Sequence, residues 1–299
     1  MIMSKPKCQL FLVAVVTSVI ALSLTTDTYA QAYPNPYRQV EDWAKLPTGR
    51  EMGAVGGVTV DRDGRHIWAI IRCDASAPER FGNECLDSDL DPVVKFAPDG
   101  TVAESFGGGM FIWPHGIDID PNGNVWVTDA VSEERTPIGT RGHQVVKFSA
   151  TGDVLMTLGT PGKAGGGKNH FNAPADVVIA DDGSIFVADG HNGTGNNRVV
   201  KFSSNGAYIK EWGKTGYGPG EFRTLHAIAL DNEGRIFVAD RANNRIQIFD
   251  QEGEFLAKWT QFGCPSGIFF DDNGLTESPV GSVVLQQMSV RICITKIIH

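Results

Sequence analysis

One four-residue motif is written four times along this chain, and that repetition limits the fold more than any other feature. Val93-Val94-Lys95-Phe96, Val145-Val146-Lys147-Phe148, Val199-Val200-Lys201-Phe202 and Ile246-Gln247-Ile248-Phe249 are each followed by a turn glycine: Gly100, Gly152, Gly206 and Gly253. Each copy is preceded by a second recurring pair of runs around an acidic turn. Gly57-Val58-Thr59-Val60-Asp61 leads through Gly64 to Ile67-Trp68-Ala69-Ile70-Ile71, and Gly116-Ile117-Asp118-Ile119-Asp120 leads through Gly123 to Val125-Trp126-Val127-Thr128-Asp129. The wording returns at Asp176 to Asp189 and at Ala227 to Asp240, and a fifth first strand begins at Gly267-Ile268-Phe269-Phe270 before Gly274. Short apolar runs joined by Asn, Asp and Gly are hairpins, because these residues accept the positive φ of tight turns.

Four short strands per unit, with turn glycines spaced by 59, 60, 51 and 40 residues, predict propeller blades. No segment carries a sustained helical period. An unrelated β-sandwich has no reason to repeat its wording. After Gly274 the expected strand ending in Ala-Asp does not appear, so residues 275–299 are read as an atypical tail and 31–274 as the propeller. Ring closure hides strand edges, so this tail is expected either to improvise the closure or to mark an early end.

The first 30 residues read as an export signal: Lys5 and Lys7, an apolar stretch from Gln9 to Ser23, then Thr28-Tyr29-Ala30 before the expected cleavage. Losing Lys5, Lys7 and Asp27 takes the formal net charge from −9 to −10. An acidic chain argues against nucleic acid as a partner, since phosphate binding needs clustered Lys and Arg, and no later run is long enough to span a bilayer. A secreted or periplasmic location follows. In that oxidising setting Cys73 and Cys85, flanking a loop rich in turn residues, are the expected disulfide.

Aligning the units places Gly56, His115, Ala175, His226 and Ser266 at one repeat position, where first strands enter the central channel. Histidines in the second and fourth units suit part of a three-histidine catalytic zinc, the third coming from a further alternate blade. The alternative is two unconnected histidines satisfied by backbone carbonyls. A second matched position, at the ends of second strands, carries Arg72 and Arg241, which suit bidentate capture of a substrate carboxylate. Asp129, Asp189 and Asp240 share a strand-end phase and are read as turn formers.

Blocks such as Trp113-Pro114-His115-Gly116, Asn169-His170-Phe171, Val187-Ala188-Asp189-Gly190, Leu225-His226-Ala227 and Ala239-Asp240-Arg241-Ala242-Asn243-Asn244-Arg245-Ile246 resemble NHL-repeat proteins. Within them the chain is most similar to peptidyl-α-hydroxyglycine α-amidating lyase and its bacterial relatives, over roughly Gly56 to Gly274. The resemblance implies an all-β, NHL-type β-propeller of the six-bladed kind, C-terminally incomplete with about five blades visible. It also implies zinc ligands at His115 and His226, with the family's third zinc histidine in a last blade this chain does not contain. Arg72 and Arg241 take the positions of family arginines, the first implicated in catalysis. His191 stands where the family has its catalytic tyrosine, inside the expanded loop Asn192-Gly193-Thr194-Gly195-Asn196-Asn197, and is expected to replace it as general base. A structural calcium on the backbone carbonyls of Val58 and Ile117 is implied too, without the family's Asp.

Two functions follow as expectations. One is a zinc-dependent lyase that cleaves a peptidyl-α-hydroxyglycine to a peptide amide and glyoxylate. The other is a non-catalytic exported scaffold that binds a peptide or small molecule at the channel mouth. With only two histidines, weak metal affinity is expected unless a tail residue such as His299 joins them.

Overall fold

The computed structural model describes residues 40–73, 84–132, 139–191, 193, 195–261 and 263–270. The expected export signal, the interior of the Cys73–Cys85 loop and the tail after Phe270 lie outside the described residues.

Each of the four complete repeats folds as one antiparallel four-stranded sheet with its strands in chain order, whereas the fifth first strand expected at Gly267-Ile268-Phe269-Phe270 is not formed and the described residues hold four blades rather than about five. The first holds β1 (Val55–Val60), β2 (Ile67–Ile71), β3 (Val93–Phe96) and β4 (Val102–Phe106). The second holds β5 (Pro114–Ile119), β6 (Val125–Asp129), β7 (Gln144–Phe148) and β8 (Val154–Gly159). The third holds β9 (Pro174–Ile179), β10 (Ile185–Asp189), β11 (Arg198–Phe202) and β12 (Tyr208–Trp212). A short parallel ribbon, β13 (Lys214–Thr215) with β14 (Glu221–Phe222), leads to the fourth. That sheet holds β15 (Leu225–Leu230), β16 (Ile236–Asp240), β17 (Arg245–Phe249) and β18 (Phe255–Trp259). The described residues contain no α-helix, only a three-residue 3-10 turn at Arg241–Asn243. None of their helices is long and apolar enough to cross a membrane.

The sheets stack face to face as propeller blades, and the repeated motif explains why. From the second blade on, its phenylalanine is buried between blades and meets a second repeated phenylalanine that precedes its own blade's first strand. Phe148 lies 6.1 Å from Phe111, Phe202 lies 6.0 Å from Phe171, and Phe249 lies 5.8 Å from Phe222. The second-strand aromatics Trp68, Trp126, Phe186 and Phe237 fill the rest of these cores. Ile268 and Phe270 pack on Phe237, Ile246 and Ile248, covering the free face of the fourth blade.

The motif's lysine is also structural. Lys95 reaches Asp61 at 2.8 Å and Lys147 reaches Asp120 at 2.9 Å, each tying the third strand to its blade's acidic turn. In the third blade Ala180 replaces that aspartate, and Lys201 crosses to Glu252 of the next blade at 2.9 Å.

Inner strands β1, β5, β9 and β15 approach one another closely around the channel. A Cβ at Gly56 would lie 2.9 Å from the carbonyl oxygens of Pro114 and His115, so only glycine fits there. Cys73 and Cys85 form the expected disulfide, with Cα atoms 4.8 Å apart.

Candidate metal centre

Each inner strand is irregular at its entry. The pairing register shifts between Val55 and Val58, between Pro114 and Ile117, and between Leu225 and Ala227. In the third blade it shifts where Asp189 faces Pro174 and Ala188 faces Asp176. A β-bulge bends its strand and redirects one side chain. The redirected positions are the ones sequence alignment brings into phase: Gly56, His115, Ala175 and His226. In the second and fourth blades, the bulge aims a histidine into the channel mouth.

The two histidine rings lie 4.8 Å apart. Both readings of these residues are realised together. His115 Nδ1 donates to the Ala175 carbonyl at 2.8 Å, and His226 Nδ1 donates to the Ser266 carbonyl at 2.7 Å. A carbonyl only accepts, so both imidazoles carry their proton on Nδ1 and keep the Nε2 lone pair for the channel. The Ala175 carbonyl is itself fixed by the Thr128 hydroxyl at 2.9 Å.

His191 joins them, 4.5 Å from the His115 ring and 4.8 Å from the His226 ring. This corrects the expectation that only two histidines meet here. The third comes from the loop after the second strand of the intervening blade, so three consecutive blades supply the set rather than alternate ones. Gly190 makes this feasible: at φ 143° it lets the chain turn back, and both Gly190 N–H and His191 N–H donate to the Ala173 carbonyl. The sequence places His191 at this mouth as a base, and its standing at another repeat phase gives no sign that its ring meets the first-strand histidines.

The ligand nitrogens of His115, His191 and His226 all lie within 4.8 Å of one another. A tetrahedral zinc holds two such nitrogens about 3.3 Å apart at bond lengths of about 2.0–2.1 Å, so the rings need only rotate inward to meet it. The buried Nε2 atoms of His191 and His226 have no hydrogen-bond partner among the described residues. Buried polar nitrogens rarely go unpaired, and a divalent cation would satisfy both. Three neutral imidazoles with one side left open are a donor set that suits zinc.

Electrostatics favour that neutral state. Burial drives the His115 imidazole well below its usual value, helped by His191, His226 and Arg72, and does the same to His191, helped by His226, Arg72 and Arg241. Burial, then Arg241, brings His226 down to about 4. Arg72 and Arg241 therefore act on the same cluster, as their shared phase implied. The Arg72 Nε donates to the Pro114 carbonyl at 3.0 Å, and its guanidinium lies 3.9 Å over the Trp113 ring. Trp113, not anticipated as part of the site, stands 4.7 Å from His191.

Asp129, Asp189 and Asp240 stay outside the centre. They accept the backbone N–H groups of Trp113 at 2.7 Å, Asn172 at 2.7 Å and Arg223 at 2.7 Å, pinning the loops that lead into β5, β9 and β15. Val58 and Ile117 lie on adjacent inner strands. Their two carbonyls fall short of the about six to eight oxygens calcium takes, so they do not by themselves make a calcium site.

Residues 168–260 match a family model described as 6-bladed beta-propeller, and residues 111–135 match the NHL repeat. The chain is 40% identical over 171 residues to NHL repeat-containing protein 3 of Homo sapiens, covering 54% of this chain and 47% of that one. It is 35% identical over 211 residues to the probable peptidyl-alpha-hydroxyglycine alpha-amidating lyase pgal-1 of Caenorhabditis elegans, covering 67% and 56%. With peptidyl-glycine alpha-amidating monooxygenase A of Xenopus laevis it shares 36% identity over 261 residues, covering 78% and 26%. The matches thus span about half the length, or less, of these curated relatives. Among solved structures it is similar to virginiamycin B lyase from Staphylococcus aureus, at 17% identity and a TM-score of 0.45, covering 72% and 59%.

Proposed function

The chain being an NHL-repeat β-propeller, we propose that it is a zinc-dependent lyase acting on peptidyl-α-hydroxyglycine at the channel mouth. The observation that carries this reading is the convergence of three histidines, with nitrogens within 4.8 Å of one another, within the field of Arg72 and Arg241. His115, His191 and His226 would hold the metal. Zinc bound there supplies Lewis-acid polarisation of a substrate oxygen.

This chain's residues do the rest. Arg72 and Arg241 would receive the glycine-derived carboxylate, and two cations acting on neutral imidazoles give the mouth a positive field that selects an anionic end. Burial of the histidine cluster excludes water from that end, which strengthens each of these interactions. In the reaction the N–Cα bond breaks, the hydroxyl proton leaves oxygen and the amide nitrogen gains a proton. The products are a peptide amide and glyoxylate. His191 holds metal in this reading rather than acting as the general base, because one lone pair cannot serve both roles.

A non-catalytic scaffold is the second reading, favoured by the relative named for its repeats rather than for a reaction. Export to an oxidising compartment accords with the Cys73–Cys85 disulfide. The test is to supply purified protein with a synthetic peptidyl-α-hydroxyglycine and measure glyoxylate alongside zinc content. Glyoxylate release that stops on chelation and returns with zinc supports the lyase. Bound zinc without turnover leaves the scaffold reading.

A further inference from the structure

Trp113 occupies a repeat position where its counterparts in the other blades are small: Ala54, Ala173 and Thr224. Its backbone is held firmly, the N–H donating to buried Asp129 at 2.7 Å and the carbonyl accepting from Ala130 at 3.0 Å. From that fixed base the indole touches three members of the centre. It lies 4.7 Å from His191, nearly edge-on at 75°, 5.4 Å from His115, and 3.9 Å beneath the Arg72 guanidinium.

His191 needs such a support. The other two histidines have Nδ1 tied to a carbonyl, whereas among the described residues no tie of that kind fixes the His191 ring and its buried Nε2 has no hydrogen-bond partner. Its own backbone follows Gly190, and the His191 N–H donates to the Ala173 carbonyl, which fixes the main chain but not the ring. Aromatic pairs favour the edge-on arrangement seen here, and a guanidinium over an indole face is a favourable cation–π geometry.

We propose that Trp113 is the positioning residue of this centre: its indole sets the His191 imidazole at ligating distance from His115 and His226, and on its other side it seats Arg72 over the same mouth. The proposal rests on the metal reading above. Ligand-orienting neighbours typically change metal affinity by about 10- to 100-fold, and that is the size of effect to look for.

The experiment titrates metal-free wild type, Trp113→Ala, Trp113→Phe and His191→Ala with cobalt(II) alone, recording visible absorption, affinity and circular dichroism. Expected is one cobalt per wild-type chain with the intense bands of four-coordinate geometry. Trp113→Ala should bind about 10- to 100-fold more weakly and shift to the weak spectrum of His191→Ala, while Trp113→Phe, which keeps a ring against His191, recovers most of the wild-type spectrum. A Trp113→Ala protein with lowered thermal stability but an unchanged cobalt spectrum and affinity would overturn the proposal, since packing alone would then explain the residue. Failure of the wild type to take up cobalt would instead overturn the metal reading beneath it.

Discussion

The imidazoles of His115 and His191 meet edge to face with ring centres 4.5 Å apart. One is carried by the inner strand of the second blade and the other by the loop leaving the third. A side chain read as a base therefore lies where a third metal ligand belongs.

Replacing His191 by Ala separates these roles. As a ligand, its loss should lower zinc stoichiometry and weaken affinity at least about 100-fold, since two histidines leave zinc short of its usual protein ligands. As a base, its loss would leave metal content intact and remove only turnover. Zinc measured after equilibrium dialysis, compared with His115→Ala and His226→Ala, distinguishes the two. Undiminished zinc in His191→Ala sinks the ligand assignment.

Reduction of the Cys73–Cys85 bridge should reach the site as well as the fold. Cys73 directly follows Arg72, whose guanidinium caps Trp113. Cys73→Ser with Cys85→Ser is expected to cost about 2–4 kcal/mol of unfolding free energy and to weaken binding of a carboxylate ligand. Calorimetric titration with such a ligand tests the second part, and unchanged affinity would mean that Arg72 is positioned by Trp113 and Pro114 without help from the bridge.

Gly116 adjoins His115, and a Cβ there would come within 2.6 Å of the Asp176 Cα and 2.8 Å of the Ala175 carbonyl oxygen. That carbonyl is the partner of His115 Nδ1. Gly116→Ala should therefore cost about 1–3 kcal/mol through overpacking and also reduce zinc affinity by shifting the inner strands apart. Gly123→Ala is the control: Gly123 has φ 79° and open space around it, so alanine strains only a distant turn. Thermal unfolding and zinc titration of both variants should show loss of stability in each and loss of metal only in the first.

The blades were legible because a propeller repeats its cores. Phe148, Phe202 and Phe249 recur in sequence because each fills the same inter-blade space, and Lys95 and Lys147 recur because each pairs with an acidic turn. His115 and His226 were legible for the same reason, since equal phase means equal radius. His191 was legible as a residue of the same mouth but not as a neighbour of the ligand nitrogens, and Trp113 was not legible as part of the site. Each breaks the repeat at its own phase, and a side chain that occurs once carries no periodic signal of where it points. Only the closure of Gly190 onto the Ala173 carbonyl brings His191 inward.

The metal-free protein should lose stability on raising the pH from about 6.5 to about 8. Burial holds His226 at about 4 in the fold against 6.5 when unfolded, so its contribution is complete above about 6.5 and is lost as pH falls towards 4. Burial raises the Asp118 carboxyl to about 6, and burial followed by repulsion from Asp118 raises Asp176 to about 8, against 3.8 when unfolded. For these two the fold binds the extra proton, so their contribution is present at low pH and lost as pH rises through the folded value. Below about 6 the histidine and aspartate trends oppose each other. Between 6.5 and 8 that of Asp176 remains, at most about 1.4 kcal/mol per pH unit. Asp176→Asn should flatten this segment while lowering overall stability, because its two oxygens accept the Ile228 N–H and the Val177 N–H, each at 3.0 Å, and an amide has only one accepting oxygen. Thermal midpoints of both proteins, measured without metal across pH 6.5 to 8.5, test the assignment, and a wild-type midpoint that stays level across that range would mean Asp176 ionises at its ordinary value despite its burial.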